Sequence, residues 1–205
     1  MISEILRSIA FIFIGPFIKR TDGKKNIPKK GPFIIVANHN SYLDPFIIYK
    51  VVYPHINQKI HFLAMKGRFW DKFGDKISRG VGCIPLDEGK EKALNEMESL
   101  LNQGKVVALF PGGPRSLDGS LPKGRTGAVR LALATNALIL PIGIIGAYEI
   151  APRDNLIPKL KRCEVKIGKP ISIKTKKEIT KRLLHHLTDK MMMEITKLSK
   201  EDYKK

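Results

Sequence analysis

Residues 33–45 read FIIVANHNSYLDP, and the character of the chain changes twice within them. Phe33–Ala37 is a short, wholly apolar run of β-favouring residues, the pattern of a strand covered on both faces. The polar turn NHNSYLD follows at once. Asp44-Pro45 then reads as a helix start, with Asp as N-cap and Pro at the first helical position. The helix should run to about Tyr53 and stop before Pro54. Strand, turn and helix in that order make one βα unit.

Outward from it the unit repeats. IHFLA (60–64) predicts a second strand, GRFWDKFG (67–74) a helical turn closed by glycine, and GCIPL (82–86) a third strand. EGKEKALNEMESLLNQG (88–104) places Ala93, Leu94, Met97, Leu100 and Leu101 on one helical face, with Gly104 as the stop. KVVALF (105–110) is the clearest strand, and the loop PGGPRS follows it. RTGAVRLALATN (125–136) predicts a helix and ALILPIGI (137–144) a strand carrying Pro141; Arg162–Ile167 alternates as a last strand. Thr175 and Glu178 form a capping box that should open a long helix striped by Ile179, Leu183, Leu187, Met191, Ile195 and Leu198. The alternation predicts a single α/β domain, a mostly parallel central sheet flanked by helices. Sites in such sheets form beyond the carboxyl ends of strands, where both polar turns lie.

The chain has 205 residues, 43% of them hydrophobic, enough for one sizeable core. Lys and Arg number 37 against 19 Asp and Glu, a formal charge of +18. This excess points to an anionic partner, either nucleic acid, a membrane surface or an anionic substrate, or reflects lysine-rich solvated faces. For nucleic acid little else speaks: there is no helix-turn-helix, zinc-finger or RNP-like pattern, and the aromatics sit in apolar runs instead of among the basic residues. Cys83 and Cys163 show no metal or redox spacing and fit a reducing compartment. The N-terminal stretch is dense in apolar residues from Ile9 to Ile18, is interrupted by Gly15-Pro16, and ends in Lys19-Arg20. It is too short to span a bilayer and has no signal-type cleavage site. It reads either as a core helix or, favoured by its all-round apolar surface, as a membrane-interface helix. The expected division is therefore a membrane-associating segment, 1–20, and a domain, 21–205.

Two constellations could carry chemistry. In NHNSYLD, Asp44 can fold back to His39 across the turn, fixing one imidazole tautomer and stabilising the imidazolium. The alternative is a plain N-cap and a turn histidine. No nucleophile elbow is present, so the proton would come from a bound hydroxyl or water. The remaining histidines lack ligand spacing, and no metal site is expected. In FPGGPRS, glycines let backbone N–H groups approach an anion that Arg115 could grip; an ordinary turn with an exposed arginine is the alternative. Lys66, just past the strand IHFLA, is a further candidate cation.

Taken in order, these pieces resemble the glycerolipid acyltransferase family, in particular the bacterial 1-acylglycerol-3-phosphate acyltransferases. Asn38, His39 and Asp44 match its N-H-x4-D block, GCIPLDE stands for its second block, Phe110–Ser116 for F-P-E-G-T-R-S, and the strand around Pro141 for its fourth. The resemblance covers roughly residues 20–170 and implies transfer of an acyl chain from a coenzyme A or acyl carrier protein thioester to the sn-2 hydroxyl of lysophosphatidate. It implies His39 as general base, oriented by Asp44, and Arg115 on the acceptor phosphate. Gly113, Ser116 and Lys66 are counted with Arg115 as substrate-binding, and no cofactor is implied beyond the thioester co-substrate. It also implies work at the cytoplasmic face of the cell membrane, among the lipids of that leaflet. The chain departs from the pattern at Gly112 (Glu), Pro114 (Thr) and Glu88 (Arg). These departures leave open an acyltransferase for another lysolipid, or a non-catalytic relative that binds lipid or an anionic polymer.

Overall fold

The computed structural model describes residues 13–64, 82–86, 89–152 and 158–204. Residues 1–12 of the apolar N-terminal segment, the turn GRFWDKFG, Lys66, Asp87 and Glu88 lie outside the described residues. Seven strands form one sheet: β1 (Ile18–Asp22), β2 (Phe33–Ala37), β3 (Ile60–Ala64), β4 (Cys83–Pro85), β5 (Val106–Leu109), β6 (Leu138–Ile145) and β7 (Cys163–Ile167). Their order across it is β1-β7-β6-β2-β5-β3-β4. All neighbours pair in parallel except β6 and β7. The helices are α1 (Asp44–Ile56), α2 (Lys90–Asn102), α3 (Gly127–Thr135), the single turn α4 (Ala147–Ile150) and α5 (Lys181–Ser199).

The period-two geometry of strands divides each between two cores. Phe33, Ile35 and Ala37 of β2 pack with α1 on one face, and Ile34 and Val36 pack with α2, α3 and α5 on the other. Every residue of β2 is therefore buried, which is why its sequence reads as a continuous apolar run. Gly143 of β6 lets α5 cross closely, since a Cβ there would lie 2.4 Å from Leu198 C and from Ser199 N.

Several expectations are corrected. Residues 18–22, placed across the end of the membrane-associating segment and the start of the domain, form edge strand β1, paired in parallel with β7. Polar IKRTD (18–22) suits an edge exposed on one side, where backbone hydrogen bonds need no apolar pattern. Just before β1, Ile14 is buried in the α1-side core, with Phe17 and Ile18 packed against it. Helix α1 continues through Pro54 to Ile56, the proline falling in the last turn, before left-handed Asn57 ends the helix. The capping box at Thr175 does not open a helix: its hydroxyl accepts the Lys177 N–H at 3.0 Å in a local turn. Helix α5 starts later, behind Thr180, whose Oγ1 accepts the Leu183 N–H at 3.2 Å.

Candidate active site

Val36 of β2 pairs with Leu109 of β5, so the loops that leave these strands emerge side by side. They are joined directly: the Ser116 N–H donates to the His39 carbonyl at 2.8 Å. The Phe110 ring stacks on the His39 imidazole with centroids 3.9 Å apart and planes 12° from parallel. A planar support of this kind holds the ring against rotation.

The expected N-cap role of Asp44 is not what the residue does. Leu43 occupies the N-cap position without a side-chain bond, and Asp44 is the first helical residue. Its carboxylate turns back over the preceding turn, where Oδ2 accepts three donors. They are the Asn40 N–H at 2.7 Å, the Ser41 N–H at 2.8 Å and His39 Nδ1–H at 2.8 Å. Asp44 is fully buried, while the His39 side chain keeps 17% exposure. With Nδ1–H committed to the carboxylate, Nε2 carries the lone pair, and the buried anion stabilises the ring once protonated. This is a dyad suited to taking a proton from a hydroxyl.

Asn38 anchors the turn from the other side. Its Oδ1 accepts the Ile144 N–H at 2.8 Å and its Nδ2 donates to the Ile144 carbonyl at 2.8 Å, extending the β2–β6 ladder with a side chain. Arg115 lies with its guanidinium carbon 3.5 Å from the Tyr42 ring centroid, so a residue of the first loop fixes the cation of the second. The other predicted ligands serve the loop. Gly113 has φ +88°, and its N–H donates to the Phe110 carbonyl at 2.9 Å, closing the turn instead of facing an anion. Ser116 is buried, and its hydroxyl donates to Asp118 Oδ1 at 3.1 Å. Arg125 was not expected here; a Cβ on Gly113 would lie 3.0 Å from its Nη2, so a second guanidinium borders the loop. No spacing rule singles it out, because it arrives from beyond Leu121. At Gly112 the space for a larger residue is filled, since a Cβ would lie 2.8 Å from Pro122 Cγ. The thiols stand apart from this chemistry: burial pushes Cys163 up to about 12 and raises Cys83 as well.

A family model described as Acyltransferase matches residues 19–145, which hold both loops, the dyad and Arg115. The chain belongs to this acyltransferase family. Among similar proteins, the chloroplastic 1-acyl-sn-glycerol-3-phosphate acyltransferases of Arabidopsis thaliana and Brassica napus are 30% and 31% identical to it, each over 70% of this chain. The matches cover 40% and 42% of those two proteins, so this acyltransferase spans less than half the length of either. The 1-acyl-sn-glycerol-3-phosphate acyltransferase of Bacillus subtilis is 25% identical over 72% of this chain and 71% of its own. In fold, the acyltransferase matches the crystal structure of the 1-acyl-sn-glycerophosphate acyltransferase from Thermotoga maritima. That match has a TM-score of 0.75 at 24% identity and covers 99% of this chain and 80% of the other.

Proposed function

We propose that this acyltransferase moves a fatty acyl chain from a thioester, on coenzyme A or acyl carrier protein, to the sn-2 hydroxyl of lysophosphatidate, giving phosphatidate. The observation that carries this reading is the His39–Asp44 pair, 2.8 Å apart at the end of β2. His39 Nε2 takes the hydroxyl proton as that oxygen attacks the thioester carbonyl. The C–S bond then breaks, and the departing thiolate receives the proton from the imidazolium. A positioned base contributes about 10²–10⁴-fold, and holding the two substrates together contributes much of the remainder. Arg115, held over the Tyr42 ring, meets the acceptor phosphate, and Arg125 adds positive charge beside Gly113. Pro122 in the space beside Gly112 favours a second reading, an acyltransferase for a different lysolipid headgroup.

The acceptor is a lipid, and four exposed apolar side chains support a membrane-facing site end. Phe46 and Leu117 follow β2 and β5, Leu160 precedes β7, and Phe13 precedes β1. The antiparallel β6–β7 pairing brings the start of β7 to the same end of the sheet as the end of β6. Leu160 is 95% exposed and is flanked by exposed Lys159, Lys161 and Arg162, a combination suited to an anionic cytoplasmic leaflet. Among the described residues no helix is long and apolar enough to cross a membrane.

The test is an acyl-transfer assay over a panel of lysolipid acceptors with both thioester donors, on the parent and His39→Ala. The expected result is preference for lysophosphatidate and a loss of about 10²-fold or more in His39→Ala at unchanged melting temperature. Preference for another headgroup would establish the second reading, and full activity in His39→Ala would overturn the mechanism.

A further inference from the structure

Beyond residue 145, where the family match ends, the chain returns to the site. Lys200 adopts the left-handed conformation at φ +61° and ends α5. The strap that follows touches both loops. Glu201 Oε1 accepts from Asn38 Nδ2, and at 2.6 Å from Asn40 Nδ2. The Leu121 N–H donates to the Asp202 carbonyl at 3.0 Å, and the Lys204 N–H donates to the Leu121 carbonyl at 2.9 Å. The Tyr203 hydroxyl donates to Asp189 Oδ1 at 2.7 Å. Lys204 Nζ pairs with Asp118 Oδ2 at 2.6 Å, and the other oxygen of Asp118 accepts the Ser116 hydroxyl.

Asn38 and Asn40 are the two neighbours of His39 in the chain, and both are buried. One carboxylate oxygen holds the two side-chain amides, so the backbone on either side of the histidine is fixed to a common point. Asp44 fixes the imidazole itself. The carboxylate is set in a polar cluster whose remaining oxygens, Asn40 Oδ1 and Glu201 Oε2, are buried without hydrogen bonds. A half-buried carboxylate with one oxygen shut away from solvent is a poor choice for mere packing, since the charged form is disfavoured there. Here its return is geometric: one acceptor ties together two donors from one tight turn.

We propose that Glu201 is a positioning residue of the active site, holding Asn38 and Asn40 so that His39 meets the acceptor hydroxyl. The proposal rests on the acyl-transfer reading for its rate effect, but the clamp itself can be observed without turnover. Glu201→Ala removes the shared acceptor, whereas Glu201→Gln keeps an oxygen for both amides. The expected result is a kcat for Glu201→Ala lower by about tenfold or more, with the lysophosphatidate KM within about twofold. Glu201→Gln restores the rate to within about threefold of the parent. In imidazole nitrogen NMR spectra, the Nδ1–H signal of His39 is sharp in the parent and in Glu201→Gln, and broadened by exchange in Glu201→Ala. An unchanged kcat in Glu201→Ala, or equal losses in both variants, overturns the proposal. If the parent transfers to no acceptor, the functional reading fails, and the imidazole signal still decides the clamp: no change between parent and Glu201→Ala overturns it. If Glu201→Ala does not fold, Asn40→Ala, which deletes one of the two held amides, carries the same expectations and the same refutation.

Discussion

At the scale of single residues, two carboxylates from distant parts of the chain hold one turn in different electrostatic settings. Asp44 Oδ2 gathers two backbone N–H groups and the imidazole N–H, so its oxygen is well supplied with donors. Glu201 faces Asn38, Asn40 and the charges of Asp44 and Glu149. Burial pushes its carboxyl up to about 7 from an ordinary 4.5, the two nearby acids add to the rise, and the two amides oppose it. Between those values the folded protein keeps a proton that the unfolded chain has lost. Stability therefore falls as pH rises through that window and levels off above about 7. Glu201→Gln has no proton to lose. Its melting temperature should match that of the parent near pH 5 and exceed it near pH 8, as checked by thermal unfolding at both values. An equal difference at the two pH values would mean that the fold does not raise the Glu201 carboxyl.

At the scale of elements, the site depends on how closely α5 lies on β6, because the strap leaves from the end of that helix. Gly143 sets this approach. Gly143→Ala should destabilise the protein by about 1–3 kcal/mol in urea unfolding, since the added methyl meets backbone that cannot rotate away. Gly15→Ala, where a Cβ has no neighbour within 4 Å, should leave stability unchanged and serves as the control. The apolar strands were readable in the sequence: Phe33–Ala37 coincides with β2, buried at every position, and Ile60–Ala64 coincides with β3, whose Ile60 and Phe62 are buried. Strand β1 was hidden because an edge strand is held by backbone pairing and tolerates Lys, Arg and Asp. Thr175 misled because a hydroxyl can close a small turn as readily as a helix. Within the site, His39 and Asp44 were readable, since they lie five residues apart in one turn. Glu201 and Arg125 were not, because contacts between distant segments leave no spacing to detect.

At the scale of the whole molecule, the proposed membrane contact would draw on both the charge of +18 and the exposed apolar side chains at the site end. Binding to vesicles containing an anionic phospholipid should be strong at about 0.1 M salt and severalfold weaker at about 1 M, where the Debye length falls to about 3 Å. Leu160→Asp should weaken it at both salt concentrations. Co-sedimentation checks this, and equal binding to uncharged vesicles would show that charge does not direct the protein to the surface. The strap has a consequence of another kind, for synthesis. Glu201 stands 163 residues after Asn38 and 161 after Asn40. Chains emerge from the ribosome N-terminus first, so both loops exist as nascent polypeptide long before the carboxylate that ties them is made. A growing chain can thus pair β2 with β5 while its histidine is still unclamped, and on the proposed reading the base is held for transfer only after α5 has docked.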